Sequence, residues 1–341
     1  MYSENNHLKT NLKIWMIILL AMIILIILVG GLTRLTDSGL SITTWELFAG
    51  LFPPLTNDTW IDYFDLYKTI PEYKEQNFNM TLNEFKVIFW WEWAHRQLGR
   101  LIGLTVLFPM IYLTFKNGFW IIKRYGIIFF LVCLQGFMGW YMVSSGLVDR
   151  VDVSHYRLSV HLLLAFIILS IVFWKFLELT NLKNSIVHFN INIVKFFIFL
   201  LFLQLIIGAF VSGMDAGKIY NTWPLMGSSF FPDDSKLYEF FSITVFDNRS
   251  LVQFIHRNLA YLIIIFYIYL CIIVFTQKDK TLYKYIFIIG ITLLIQVILG
   301  ILTILSGVKI LYASLHQINS ILIILSTLYF LYMCKYKKKV T

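Results

Sequence analysis

Charged residues are scarce in this chain: they make up 14% of its 341 residues, whereas hydrophobic residues make up 59%. Ordinary water-soluble domains carry about 25% charged residues, so that class of protein is excluded. Only three cysteines occur, Cys133, Cys271 and Cys334. They provide neither a disulfide framework nor a Cys-x-x-Cys-His attachment sequence. The first apolar run lacks a small-residue cleavage site, so we interpret it as a membrane span rather than as a cleavable signal.

Long apolar runs dominate the sequence instead. Each is long enough to cross a hydrocarbon core of about 30 Å. They lie at residues 13–32, 95–115, 125–145, 158–177, 195–213, 251–275, 285–306 and 312–333. The sequence therefore predicts an all-α membrane protein with eight transmembrane helices. Thr81 and Glu84 have the spacing of a capping box, which predicts that the second helix begins near Leu82.

The net charge of +9 does not indicate nucleic-acid binding, because the basic residues flank one side of the eight spans. These are Lys9, Lys13, Lys116, Lys123, Arg124, Lys175, Lys183, Lys278, Lys280, Lys284 and residues 335–339. By the positive-inside rule, that side and both termini are predicted to be cytoplasmic. The loop at 33–83 is predicted to lie outside, with short amphipathic helices at the membrane surface within its aromatic segment 60–73.

An internal repeat organises the chain. The matching residues, at shifts of 178, 161 and 155 positions, are Gly30 with Gly208, His95 with His256, Gln135 with Gln296, Gly139 with Gly300, and His161 with His316. Each copy holds four spans, so the copies share one orientation about an axis along the membrane normal. The sequence predicts two pseudosymmetric four-helix halves, 1–183 and 184–341, of which the first carries the long outer loop 33–83.

Four of the seven histidines fall near the outer ends of the even-numbered spans: His95, His161, His256 and His316. One histidine in an apolar helix is more often a packing residue than a ligand, but four related by a repeat favour metal binding. The repeat gives each half its own pair. Two imidazoles without a carboxylate or thiolate suit the axial positions of a haem iron better than zinc. His7, His155 and His188 are interpreted as tail or loop residues, His155 as a solvated one.

Five arginines are predicted to lie near the same outer ends, where they could pair with anionic haem propionates. They are Arg34, Arg96, Arg100, Arg157 and Arg257. The alternative is that they extend to lipid phosphates. Several glycines have a similar ambiguity, because they could allow close approach of a helix or macrocycle or could be small packing residues. These are Gly30, Gly31, Gly136, Gly139, Gly208, Gly300 and Gly307.

The two halves differ one turn before the first histidine of each pair. Glu92 precedes His95, whereas Gln253 precedes His256. A carboxylate beside a haem can accept a proton or position water, and a glutamine cannot. This difference favours a reactive first half and an electron-transfer haem in the second. The alternative is that Glu92 is a hydrogen-bonded packing residue.

The sequence resembles the haem A synthase family. The matching stretches are residues 31–36, 80–82, 84–86, 91–100, 135–136, 139–140, 155–158, 161–162, 254–257 and 316–317. The block from Glu92 to Arg100 is specific, and the long first outer loop resembles the branch found in proteobacteria and mitochondria. Some members carry a cysteine pair in an outer loop. This chain has none there, so a thiol-dependent step does not transfer to it.

The resemblance implies oxidation of a methyl group of haem O to the formyl group of haem A by successive hydroxylations, with water as the oxygen source. It implies that His95 and His161 bracket haem O, that His256 and His316 bind haem b, and that Glu92 takes part in the chemistry. The implied location is a bacterial inner membrane. The implied partners are a haem O synthase, a protein that accepts or donates electrons, and membrane lipid.

Two other functions fit parts of the same pattern. A b-type membrane cytochrome with two haems would pass electrons between a quinol and a partner, and would form no haem A. A transporter built on parallel repeats would need ionisable groups or broken helices near the membrane midplane. The spans have few such groups away from their outer ends, which argues against the transporter.

Overall fold

The computed structural model describes residues 6–45, 49–180, 189–277 and 280–335. The α-helices of these residues, which are joined by loops that include four short 3-10 helices, are α1 (Asn6–Leu35), α2 (Asn57–Tyr67), α3 (Pro71–Glu75), α4 (Leu82–Asn117), α5 (Trp120–Val143), α6 (His155–Leu179), α7 (Ile191–Gly213), α8 (Arg249–Thr276), α9 (Lys280–Leu305) and α10 (Ile310–Lys335). Some residues of the charge and histidine predictions lie outside these ranges, namely Lys183, His188, Lys278 and residues 336–339.

Eight of these helices are long and apolar enough to cross a membrane: α1 and α4 to α10. The shortest of them, α7, has 23 residues. At about 1.5 Å per residue it is about 35 Å long, which exceeds the hydrocarbon thickness of about 30 Å. The prediction of an all-helical protein with eight membrane-spanning helices is confirmed.

Helix α4 extends well beyond the apolar run that identified it. The apolar run covers residues 95–115, whereas the helix occupies Leu82–Asn117. Its start is fixed by the predicted capping box. The backbone amide of Thr81 donates to the Glu84 carboxylate at 2.8 Å, and the Glu84 amide donates back to the Thr81 hydroxyl at 3.4 Å. The additional turns at the start of α4 contain Glu92, which therefore lies near the outer loop.

The predicted short helices of the outer loop are present as α2 and α3. Their apolar side chains are buried against α4, where Phe64 and Tyr67 contact Phe85 with ring centres 5.0 and 5.3 Å apart. Trp60 likewise packs edge-on against Phe89. This aromatic cluster holds α2 and α3 against α4, since aromatic pairs of this kind bury a large apolar area. One face of α2 is therefore buried against α4, whereas Ile61 and Leu66 on the same helix are 46% and 43% exposed. Placement of these helices at the membrane surface stays a prediction.

The contacts within the chain define two compact units. The first is Leu19–Ile168, and the second combines Met1–Ile18 with Leu169–Thr341. In the first unit α4 packs against α5, and in the second α10 packs against α7 and α9. Helix α10 is the most buried of the membrane-length helices. Each unit contains one of the two predicted histidine pairs.

Candidate functional site

A pair of histidines lies in each unit. In the first unit the ring centres of His95 and His161 are 6.5 Å apart. In the second, those of His256 and His316 are also 6.5 Å apart. Metal–imidazole bonds are about 2.0–2.1 Å and a ring centre lies about 1.2 Å behind its nitrogen, so two imidazoles on opposite sides of one metal have ring centres about 6.5 Å apart. Both spacings fit a single iron between two imidazoles.

The available donor atoms at each pair also fit haem better than a metal bound by protein alone. Across residues 6–45, 49–180, 189–277 and 280–335, no group of three or more His, Cys, Asp or Glu side chains is placed to hold a metal ion. Two imidazoles leave the remaining coordination positions open. A porphyrin fills those positions, and bound haem iron commonly takes histidine as an axial ligand.

Each of the four imidazoles lies against a glycine on a neighbouring helix. A Cβ atom added to the glycine would lie 3.0–3.2 Å from the ring, in the pairs Gly30 with His95, Gly139 with His161, Gly208 with His256, and Gly300 with His316. That distance is shorter than an ordinary van der Waals contact, so any larger residue would displace the imidazole. The sequence pattern left the role of these four glycines open. Because they have no side chain, they leave room for the four imidazoles.

Three of the histidines are also held by a glutamine one turn before that glycine. Each glutamine amide donates to the backbone carbonyl of its histidine at 3.0–3.1 Å and lies 3.2–3.3 Å from its Nε2 atom. The pairs are Gln135 with His161, Gln204 with His256, and Gln296 with His316. Sequence reasoning aligned Gln135 with Gln296 without assigning a role, and it missed Gln204. The signal was the spacing Gln-x-x-x-Gly, which occurs on α5, α7 and α9.

The pair in the second unit has further support. The Nδ1 atom of His316 lies 3.1 Å from the backbone carbonyl of Gln296 and donates to it. Asn319 donates to the side-chain oxygen of Gln296 at 2.7 Å and to the Thr292 carbonyl at 2.8 Å. A donor at Nδ1 makes Nε2 the acceptor, and Nε2 lies 3.2 Å from the Gln296 amide. Both ring nitrogens of His316 are therefore held by Gln296.

Glu92 is buried, with 2% of its surface exposed, and both of its carboxylate oxygens accept hydrogen bonds. Oε2 accepts from the Ser41 hydroxyl at 2.7 Å and from the Ile42 amide at 2.8 Å. Oε1 accepts from Nε and Nη2 of Arg96 at 3.0 and 2.6 Å. A buried carboxylate requires compensation of this kind. Glu92 therefore anchors the outer loop and orients Arg96.

The equivalent residues of the second unit anchor a loop in the same way but without a carboxylate. Gln253 donates to the Tyr220 carbonyl at 3.0 Å. Arg257 donates to the carbonyls of Tyr220 at 3.0 Å, Thr222 at 2.9 Å and Leu225 at 3.3 Å. Arg257 is therefore solvated by carbonyl oxygens, whereas Arg96 is neutralised by Glu92.

The predicted arginines have partners within the protein. Arg96 also donates to the carbonyls of Ile42 and Thr44. Arg34 pairs with Asp37 at 2.6 Å, and Arg100 donates to the Gly50 carbonyl at 3.1 Å. Arg157 donates to the Tyr141 carbonyl at 2.6 Å and lies over its ring. These contacts tie outer loops to helix ends, so pairing with haem propionates stays a prediction for all five.

His155 differs from its expected environment. It begins α6 and is buried, with 5% of its surface exposed, whereas the sequence suggested a solvated loop residue. Its ring packs on that of Tyr156, with centres 4.2 Å apart. Start positions of helices can be covered by neighbouring loops, which a sequence pattern does not reveal. The interpretation of His155 as solvated is wrong.

These features define a polytopic, all-helical membrane protein with a paired-histidine site suited to haem in each of two units. The chain belongs to the family of cytochrome oxidase assembly proteins, whose family model matches residues 13–328. That match covers all eight membrane-length helices in whole or in part. The membership confirms the family resemblance found in the sequence.

Individual relatives are similar over nearly the full chain. The heme A synthase of Pelagibacter ubique (strain HTCC1062) is 49% identical over 332 residues, which cover 97% of this chain and 98% of that protein. The heme A synthase of Rickettsia bellii (strain RML369-C) is 42% identical, covering 93% and 96%. That of Wolbachia pipientis wMel is 39% identical, covering 96% and 93%.

Proposed function

We propose that this protein is a haem A synthase, which oxidises a methyl group of haem O to the formyl group of haem A. The observation that carries the proposal is the spacing of 6.5 Å between paired imidazoles in each unit. It occurs in a chain that shares nearly its whole length with proteins named heme A synthase. A buried carboxylate beside only one pair supports an oxidation at that pair.

The two pairs are assigned different haems. His95 and His161 bracket the substrate haem O, and His256 and His316 hold a resident haem b. The assignment rests on two differences: Glu92 precedes the first pair where Gln253 precedes the second, and the second pair has the more extensive hydrogen bonding through Asn319. Haem b, when bound, would supply one-electron transfer.

Glu92 is the proton acceptor at the first histidine pair. Its Oε2 atom accepts from the Ser41 hydroxyl, and a hydroxyl can pass a proton onwards, so we assign proton acceptance to that atom. Its Oε1 atom stays paired with Arg96, which fixes the direction of the carboxylate. Fixed charge in a site shielded from water stabilises developing positive charge more strongly than charge in water does.

The remaining assignments concern topology and partners. The chain is a multi-pass membrane protein; we place it in a bacterial inner membrane, with both termini cytoplasmic and the histidine ends of the helices outward. Basic residues at helix ends support this orientation, such as Lys9 and Lys13 in α1 and Lys335 in α10. We also propose that the two four-helix halves are 1–183 and 184–341. A haem O synthase delivers the substrate, and a separate redox protein accepts or donates electrons.

Expression beside a haem O source tests the proposed reaction. Haems extracted from the membranes should include haem A, identified by chromatography and mass. The matched control is the double variant His95→Ala, His161→Ala, which should yield no haem A but keep the haem held by the second unit. If haem O stays unchanged beside a folded, haem-loaded wild-type chain, the protein is instead a cytochrome with two haems.

A further inference from the structure

The loop between α7 and α8 contains an apolar segment whose hydrophobic side chains are exposed. The segment covers residues 237–243 and begins with a 3-10 helix. Its exposed fractions are 67% for Leu237, 68% for Tyr238, 80% for Phe241 and 96% for Ile243. Large apolar side chains that are exposed side by side mark a surface that contacts something other than water.

The opposite face of the apolar segment is fastened to the protein. Its one carboxylate, on Glu239, accepts a hydrogen bond from the Asn248 side chain at 3.4 Å. The ring of Phe240 packs edge-on against that of Phe254 on α8, with centres 6.1 Å apart. The charged side chain is thus held by protein while the apolar ones point outward, which reverses the arrangement expected of a loop that faces water.

The apolar segment lies at the level of a membrane boundary. Phe254, on which it packs, comes 22 residues before Thr276, the last residue of α8. At 1.5 Å per residue the two residues are about 33 Å apart along the helix axis, and the hydrocarbon core is about 30 Å thick. When α8 spans the core from its end at Thr276, it therefore reaches the opposite boundary close to Phe254.

The apolar segment also lies on the side of α8 that faces lipid. Ile265 and Ile272 follow Phe254 by 11 and 18 residues, which are about three and five full turns, so all three share one face of the helix. Ile265 is 64% exposed and Ile272 is 56% exposed. In a membrane-spanning helix, such apolar side chains contact acyl chains. The segment that packs on Phe254 is therefore an outward continuation of this lipid-facing surface.

The residue types of the apolar segment suit the boundary between headgroups and acyl chains. Tyrosine is enriched at that depth because it has an apolar ring and a polar hydroxyl. The ammonium group of Lys236, just before the segment, lies 5.9 Å from the centre of the Tyr238 ring. A lysine at this place can extend to lipid phosphates.

We propose that residues 237–243 insert into the lipid leaflet at the His256 end of α8, at the boundary between headgroups and acyl chains. The partner of this surface is membrane lipid rather than another protein. The inserted side chains hold the loop beside α8, where Phe240 covers Phe254. This inference goes beyond the proposed function and does not depend on it.

Nitroxide labelling of the full-length protein in phosphatidylcholine vesicles tests the insertion. Ile243→Cys is labelled after the native cysteines are replaced, with Cys133→Ala, Cys271→Ala and Cys334→Ala. Oxygen concentrates in lipid and a nickel chelate stays in water, so the ratio of their collision rates with the label reports its depth. Because Ile243 is 96% exposed, the label displaces no packed side chain.

Two reference positions calibrate the ratio. Glu75→Cys, at an exposed acidic residue that ends α3, gives the value for water, and Ile265→Cys gives the value for the hydrocarbon core. The ratio of oxygen to nickel collisions at Ile243 should be shifted above that at Glu75 and lie below that at Ile265. Leu237→Cys, at the other end of the segment, should show the same intermediate ratio.

Two outcomes would overturn the insertion. A ratio at Ile243 and Leu237 equal to that at Glu75 would place the segment in water. Low collision rates with both oxygen and nickel would mean that protein covers it, which for the purified chain is a second copy. The measurement needs no turnover, so failure to form haem A would refute the proposed function and leave this result unaffected.

Discussion

Arg96 donates two hydrogen bonds to a single oxygen of Glu92, at 3.0 and 2.6 Å. The substitution Glu92→Gln keeps the shape of the side chain but removes its negative charge and its ability to accept a proton. We expect haem to remain bound and haem A formation to fall at least about 100-fold, the usual contribution of a general base. Chromatography of extracted haems and the absorption of the purified protein measure the two quantities.

The matched control for that substitution is Gln253→Ala at the corresponding place in the second unit. It removes one hydrogen bond to the Tyr220 carbonyl and should reduce haem A formation far less than Glu92→Gln. Full activity in Glu92→Gln would exclude Glu92 from the chemistry. It would leave that residue only its observed role of anchoring the loop through Ser41 and Ile42.

The close contact between Gly300 and His316 gives a second prediction. In Gly300→Ala the new Cβ would lie 3.0 Å from Cε1 of His316, and the imidazole is held by its bond to the Gln296 carbonyl. We expect most of the haem of the second unit to be lost, measured as haem per protein by absorption.

Gly103→Ala is the control for that glycine, because a Cβ there meets nothing within 4 Å. Alanine in a helix interior is favoured over glycine by about 0.5–1 kcal/mol, so this variant should keep its haem and unfold at an equal or slightly higher temperature. Equal haem content in Gly300→Ala and Gly103→Ala would show that the imidazole of His316 can move aside at no cost.

Much of the fold was predictable because membrane spans depend on length and hydropathy, which are read directly from sequence. The boundaries were less predictable. The turns of α4 before His95 contain Glu92 and several tryptophans, so they fall outside an apolar window although the helix continues through them. The capping box at Thr81 gave the true start, since it depends on local hydrogen bonds rather than on hydropathy.

The candidate site was predictable where the repeat placed equivalent residues in register, as for His95 and His256. Its supporting contacts were not. The partners of Glu92 are Ser41 and Ile42, about fifty positions earlier in an irregular loop. No periodicity indicates which carbonyl or amide such a loop brings to a helix. The role of Gln204 was predictable in principle, from its spacing to Gly208.

The aromatic cluster of the outer loop gives a stability prediction. Phe85 is fully buried between Phe64, Tyr67 and Phe89. Phe85→Ala should lower the free energy of unfolding of this region by about 3–5 kcal/mol, since truncation of a buried phenylalanine leaves a cavity. Limited proteolysis of the loop between α1 and α4 measures the effect. Val87→Ala, at a residue 59% exposed on the same helix, should be cut at the wild-type rate; equal rates in all three proteins would contradict the packing role of Phe85.

A buried carboxyl in the same loop makes stability depend on pH. Burial raises the pKa of Glu72 to about 8, and nearby carboxylates including Glu92 add to the increase, although the hydrogen bond from Tyr67 opposes it. The Tyr67 hydroxyl donates to Glu72 at 2.7 Å, and Asn77 donates to the Tyr67 hydroxyl at 2.8 Å. The folded loop therefore favours the protonated form of Glu72 at neutral pH.

The direction of the pH effect follows from that raised pKa. The unfolded carboxyl ionises near its ordinary value of 4.5 and the folded one near 8, so between these values the unfolded state binds fewer protons. The contribution of Glu72 is fully present below pH 4.5 and is lost as the pH rises through 8. Thermal unfolding of the purified chain should show a midpoint that falls over this window. Glu72→Gln, which cannot ionise, should remove that part of the decline, and an unchanged decline in the variant would assign it to other groups.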